Sequence, residues 1–274
     1  MPVVDGFSLT MSAQYDRGDC AEAKQEDGGL ILFRPEIRVG GWDQTVQQAL
    51  LHEWDPPRSN QELKPTLTAA VAKAARAAQS ISASPKVIAG DVLSAVYREG
   101  PDAGVHVAVG GAGAVAARRP DGRWETYEIM YTTGCPLYPS LFGENGEVTT
   151  QVEAYRADLP GRRSVTRVAP GRWELFHSQF VDEINDPWFP LFFREGLFDV
   201  VLLLTSGAHA FRPKSPPGTE HAGGILLGSV IDALDVPRRP GSGFLQKAVV
   251  AFESTARKRW DHRGSLAIGG LAFP

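Results

Sequence analysis

The chain reads as an α+β protein, a four-layer α/β/β/α sandwich of two antiparallel sheets flanked by helices. Three observations predict this. Strands and helices come in separate runs rather than strict alternation, which argues against a parallel sheet wound by crossover helices. Several strands are continuous apolar runs, such as Leu30-Ile31-Leu32-Phe33 and Val200-Val201-Leu202-Leu203-Leu204, so they need cover on both faces. The long helical segments each carry one apolar stripe, as an outer layer would.

Composition is that of a globular protein, with 274 residues, 43% hydrophobic and 22% charged, read as one domain over 1–274. A net charge of -4 and a pI of about 5.9 exclude a general nucleic-acid binder, which needs a basic face against phosphates. No apolar run approaches the roughly 20 residues that span a bilayer, and no membrane association is expected. Met1-Pro2-Val3-Val4-Asp5 is not a basic segment followed by an apolar one, so no secretory signal is expected. Cys20 and Cys135 are too few for a structural zinc site. Both are read as reduced thiols, in a cytoplasmic protein.

In chain order, 5–15 and 29–33 are expected as strands, the second central because it is wholly apolar. A helix over 42–54 follows Gly40-Gly41, with Val46, Leu50 and Trp54 on one face, and Asp55-Pro56-Pro57 ends it. A second helix, 65–81, starts at Pro65 and buries Leu67, Val71, Ala74, Ala78 and Ile81, with Lys73 and Arg76 outward. Strands 86–98 and 105–110 come next. A hairpin of 114–118 and 124–129 then turns at Arg119-Pro120-Asp121-Gly122-Arg123. Residues 132–150 are loop-like. Strands return at 172–176 and 200–204. A loop with prolines and glycines covers 212–224, a helix spans 242–260 with Phe244, Ala248, Ala251, Phe252 and Thr255 along one side, and 265–273 is the last strand.

The stretch Phe198 to Gly207 is the most telling for function. A buried strand runs into the small-residue turn Thr205-Ser206-Gly207, a place where folds present chemistry. Ser206 could serve there as a nucleophile, but Thr-Ser-Gly-Ala is not the Gly-x-Ser-x-Gly elbow, and His209 is near only in sequence. Asp27 reads either as a metal ligand or as a turn aspartate in Glu26-Asp27-Gly28-Gly29. Asp261 and His262 read either as a ligand or acid–base pair, or as the turn after a helix, where the dipole favours His262. Arg162, Arg163 and Arg167 form a small basic loop that is either solvated or placed to receive a phosphoryl group. His52, His106 and His177 sit in helix or strand patterns and read as structural. Gly110-Gly111-Ala112-Gly113 lacks the following helix of a dinucleotide loop and reads as a hairpin turn.

The order of elements and four local patterns resemble the metal-dependent protein phosphatase 2C family. The segment from Arg17-Gly18-Asp19-Cys20 to Lys24-Gln25-Glu26-Asp27 is similar to the opening segment that ends in an Asn/Gln-Glu-Asp triplet. Val105 to Val115 is similar to the strand–Gly-Asp-Ser–strand hairpin, Phe198 to Gly207 to the strand before Ser-Asp-Gly, and the 242–260 helix with Trp260 to Ala267 to the Asp-Asp/Asn loop and last strand. The resemblance implies the sandwich fold and a lineage of phosphoserine and phosphothreonine hydrolysis, in which a metal-bridging water attacks phosphorus. It implies Mn²⁺ or Mg²⁺ if any metal is retained, with Asp27 and Asp261 as ligands and Glu36 or Asp43 as replacements, and substrate contacts at Ser206, Arg162 and Arg163. A phosphoprotein or signalling protein would be the partner.

The departures are as specific. Where the family has Asp-Gly-x-Gly-Gly, this chain has Phe33-Arg34-Pro35-Glu36-Ile37-Arg38-Val39-Gly40-Gly41. Gly110-Gly111 stands for Gly-Asp, Thr205-Ser206-Gly207 for Ser-Asp-Gly, and the last motif keeps Asp261 alone. Two divalent ions need several oxygen ligands, mainly carboxylates, and at least two of about four are missing. The sequence therefore points to a pseudophosphatase or phosphoprotein-binding regulator. An active Mn/Mg phosphatase with rearranged ligands and an unrelated hydrolase using Ser206 are the alternatives.

Overall fold

The computed structural model describes residues 1–10, 20–24, 27–35, 50–51, 54–57, 63–81, 90–132, 136–214, 227–262 and 265–274. A seven-stranded antiparallel sheet is ordered β1-β14-β11-β6-β7-β8-β9. Its strands are β1 (Val3–Thr10), β6 (Gly113–Arg118), β7 (Trp124–Tyr131), β8 (Arg162–Ala169), β9 (Arg172–Phe180), β11 (Val200–Thr205) and β14 (Ser265–Ala272). A five-stranded sheet is ordered β10-β5-β4-β3-β2, from β2 (Cys20–Lys24), β3 (Gly29–Pro35), β4 (Gly90–Arg98), β5 (Gly104–Gly110) and β10 (Trp188–Arg194). A small ribbon pairs β12 (Phe211–Pro213) with β13 (Trp260–His262).

The two sheets close on each other over Leu30, Leu32, Leu93, Val107, Val109, Val115, Ile129, Val201, Leu203 and Leu271. Strand alternation sends the opposite faces outward. Ile31, Phe33, Val92 and Val96 pack under helix α1 (Leu63–Ile81). Val200, Leu202, Leu204, Leu266 and Ile268 pack under α3 (Leu227–Leu234) and α4 (Phe244–Arg259). The apolar runs are therefore strands covered on both sides, and the α+β sandwich is the fold.

The Pro120-Asp121-Gly122 turn forms as its residues require. Gly122 sits at φ +90°, and the Asp121 carboxylate accepts from the Arg123 N–H at 3.0 Å. In α4 the buried positions are Phe244, Leu245, Ala248, Val249, Phe252 and Ala256, and Ala251 is exposed. The stripe follows i, i+4, i+8, i+12 from Phe244, which carries it past Ala251 to Ala256. Most of the expected 42–54 helix lies outside the described residues. Leu50 and Trp54 at its end are buried beneath α1.

One expectation is corrected, and two elements appear that the sequence did not announce. Arg162, Arg163 and Arg167 do not form a loop but lie on β8. A strand tolerates arginines at these positions because Gln179 and Glu125 meet Arg163 and Arg167. The 132–150 loop leads into an unforeseen helix, α2 (Thr150–Asp158), which buries only Val152 and so shows no apolar stripe. It is capped by Thr149, whose Oγ1 accepts from the Val152 N–H at 3.3 Å. Strand β10 was hidden by Pro190, and β10 is an edge strand, where a missing N–H costs no ladder bond.

Candidate functional site

The site is assembled where β3 and β11 end and β4 and β14 begin. Leu30 and Leu32 face the other sheet, so the two-residue period puts Arg34 on that same inner face. On β4, Leu93 and Ala95 face inward, and Asp91 is in phase with them. Arg34 and Asp91 are direct partners in the β3–β4 ladder. Directly opposed side chains start about 5 Å apart. Both are buried, at 6% and 4% exposure. The inner face thus ends in an opposed cation and anion rather than another apolar pair.

Each oxygen of Asp91 is engaged. Oδ1 accepts from the Ala112 N–H at 2.8 Å, and Oδ2 accepts from the Ser206 hydroxyl at 2.5 Å. The β5–β6 hairpin makes this approach possible through Gly111, held at φ +91°, where a Cβ would stand 2.4 Å from Asp91 Oδ1. The β11 turn needs Gly207 for a similar reason. A Cβ there would lie 2.3 Å from the Ser265 carbonyl and 2.9 Å from Arg34 Nη1. Thr205 Oγ1 accepts from the Ala267 N–H at 3.1 Å, fixing the turn to β14.

His209 follows in the short 3₁₀ turn Ser206–Ala210. Its ring is 19% exposed, with Nδ1 3.9 Å from Glu128 Oε2. Burial pushes its pKa down to about 4, with Arg34 and Arg212 adding to the fall and a bond to the Gly113 backbone opposing it. At neutral pH the ring is uncharged, so its approach to Glu128 is not an ion pair. Burial raises Glu128 as well. Tyr131 closes the inner side. Burial pushes its phenol up to about 12, with Arg163 lowering and Asp91 raising it.

The residues expected from sequence fall differently. Ser206 is in the site, bonded to Asp91. Asp27 is not: it precedes β3 at the end where Gly29 pairs with Val96, a strand length of roughly 20 Å from Arg34. The reason is that β3 runs straight from the Asp27-Gly28 turn to Arg34, which puts the two at opposite ends of the sandwich. Asp261 enters on β13 opposite Arg212, four positions before Ser265. Glu36 and Asp43 lie outside the described residues. Arg162 stacks on Phe180 with its guanidinium 3.8 Å from the ring centre. Arg163 is buried and donates to the Pro187 carbonyl at 3.3 Å and to Gln179 Oε1 at 3.1 Å. Arg34 and Asp91 are the site residues that sequence reasoning missed. The available signal was a charge in phase with Leu30 and Leu32 at the end of an apolar strand.

This donor set does not fit a pair of divalent ions. Among the described residues, no group of three or more His, Cys, Asp or Glu is gathered to hold a metal. The carboxylate that is present, Asp91, accepts two hydrogen bonds and faces a buried arginine. Nor does the turn resemble a nucleophile with its base, because the Ser206 proton is held by a carboxylate and not by His209.

The sequence matches no family model and no curated protein. The architecture does match solved structures over their whole length. MsPP, a PPM Ser-Thr phosphatase of Mycobacterium smegmatis solved with cacodylate, superposes with a TM-score of 0.55 at 13% identity, covering 99% of this chain and 98% of its own. The serine/threonine phosphatase PstP/Ppp of Mycobacterium tuberculosis gives 0.50 at 13% identity, covering 99% and 100%. PppA, described as a key regulatory component of T6SS in Pseudomonas aeruginosa, gives 0.50 at 12% identity, covering 99% and 98%. Sheet order, layering and whole-chain superposition agree: this chain has the fold of the PPM Ser/Thr phosphatases, the protein phosphatase 2C-like sandwich.

Proposed function

We propose that the chain is a phosphoprotein-binding regulator, a pseudophosphatase that does not run two-metal hydrolysis. One observation carries this reading: the site's buried carboxylate, Asp91, is bonded to Ser206 and Ala112 and opposed by Arg34. A metal-activated water needs carboxylates that point into an open space. Here the carboxylate is turned into the protein's own hydrogen bonds. The likeness to PppA, described as a T6SS regulator, is in keeping with a regulatory role.

The test is turnover of para-nitrophenyl phosphate and of phosphoserine and phosphothreonine peptides with Mn²⁺ or Mg²⁺ present, beside binding of the same peptides. Chelator-sensitive turnover is expected to be absent, and peptide binding to depend on the phosphate. Robust Mn²⁺-dependent hydrolysis would overturn the reading, as would indifference to phosphorylation.

A further inference from the structure

We propose that Arg34 is the resident cation of this site, supplying from within the chain the positive charge that divalent ions would otherwise bring, and excluding them. The inference rests on the reading above and names its physical cause. A buried carboxylate must be paired or hydrogen-bonded. Among the described residues, Asp91 accepts from two uncharged donors, Ala112 N–H and Ser206 O–H, and Arg34 stands opposite it in the ladder. A guanidinium is not deprotonated in proteins, so this charge is permanent and needs no ion from solution.

The surroundings are shaped for the guanidinium. Gly207 leaves the space into which Nη1 reaches, since a Cβ there would come within 2.9 Å of it. Gly111 lets the hairpin approach Asp91 from the other side. The positive field also reaches His209, whose protonated form it disfavours along with burial. A divalent cation brought to Asp91 would meet the fixed positive charge of its ladder partner, and both residues are buried from water. The Arg34–Asp91 pair is therefore neutral as built.

Charge reversal tests this. In Arg34→Asp two carboxylates oppose each other across β3 and β4, which supplies two of the oxygen-bearing groups that a divalent ion takes, with water to complete the set. Thermal melting and calorimetry are run on wild type, Arg34→Asp and Arg34→Asp/Asp91→Asn, in chelator and in Mn²⁺ at matched ionic strength. Wild type is expected to bind no Mn²⁺ and to melt unchanged. Arg34→Asp is expected to melt lower in chelator and to rise by roughly 5 °C once Mn²⁺ reaches about 100 times its Kd. The double variant, with one carboxylate, is expected to rise far less.

If Arg34→Asp does not fold in chelator, refolding with Mn²⁺ is the readout: recovery supports the inference and failure overturns it. Equal Mn²⁺ response in wild type and Arg34→Asp overturns it, as does no response in a folded Arg34→Asp. The last result leaves the pseudophosphatase reading standing, because wild type would still lack both metal and turnover. Mn²⁺-dependent turnover by wild type would bring down both.

Discussion

Removing the Ser206 hydroxyl measures how tightly the β11 turn is tied to β4. Ser206→Ala deletes the 2.5 Å bond to Asp91 Oδ2, whose residue is 4% exposed. Hydrogen bonds to charged groups contribute about 1.5–3 kcal/mol, and losing one partner leaves the other's desolvation uncompensated. Asp91 keeps the Ala112 N–H and faces Arg34, so the loss belongs near the middle of that range, about 2 kcal/mol. At roughly 2–4 °C per kcal/mol for a chain this large, melting should drop by about 4–8 °C. Circular dichroism melts, checked by urea midpoints at constant slope, give the number. Ser206→Asp should be less stable still in chelator, because the new carboxylate meets Asp91 where a donor stood. A Ser206→Ala protein within about 0.5 kcal/mol of wild type would show that the hydroxyl does not hold this carboxylate.

Two further outcomes follow from buried titrating groups. The folded-state pKa of His209, near 4, lies below its ordinary 6.5, so the unfolded chain takes the proton first as pH falls. The stability this confers is complete above pH 6.5 and is lost down to about pH 4, at about 1.4 kcal/mol per pH unit. Urea midpoints at pH 7.5 and 5 should therefore differ less in His209→Gln than in wild type; equal slopes would refute the assignment. Glu125, 1% exposed, accepts from Arg119 and from Arg167 Nη2 at 2.6 Å. Burial pushes its carboxyl up, but Arg167 and Arg119 outweigh that and hold it low. Its contribution is present above the ordinary carboxylate pKa and lost as pH falls below it. Glu125→Gln, which leaves two part-exposed arginines around a neutral amide, should cost about 2 kcal/mol by urea denaturation, and a loss under about 0.5 kcal/mol would argue against the network.

Much of the sandwich was legible because its strands are apolar on both faces. Leu30–Phe33 and Val200–Leu204 could not be amphipathic surface strands, and the helices over them carry single stripes. What stayed hidden has a physical pattern. Strand β8 is polar because its arginines find partners across the sheet, which no local window shows. Helix α2 rests on a Thr149 cap and one buried side chain, Val152, too little for periodicity. At the site, Ser206 was legible because the strand-to-turn break is local. Arg34 and Asp91 were not, since they lie 57 positions apart and meet through ladder register. Asp27 lies at the other end of β3 from Arg34 and Asp91, and nearness in sequence to a strand says nothing about which of its ends two residues share.

Three residues at this end of the sandwich bear on one carboxylate, Asp91. Loss of metal carboxylates alone would leave a buried polar gap, and each unsatisfied group there would cost about 1–3 kcal/mol. Here Gly111, Ser206 and Arg34 all bear on Asp91. Gly111, where the sequence pattern suggested an aspartate, is the one residue type that permits both φ +91° and a hairpin 2.4 Å from the Asp91 oxygen at the Cβ position. Ser206, at the second such place, has become a donor to the same carboxylate. Arg34 brings the opposite charge onto the partner position of the neighbouring strand. An aspartate restored at Gly111 alone would meet Asp91, and one at Ser206 alone would remove a donor from it. The three positions are coupled through one carboxylate, so a substitution at any of them acts on Asp91 and through it on the other two.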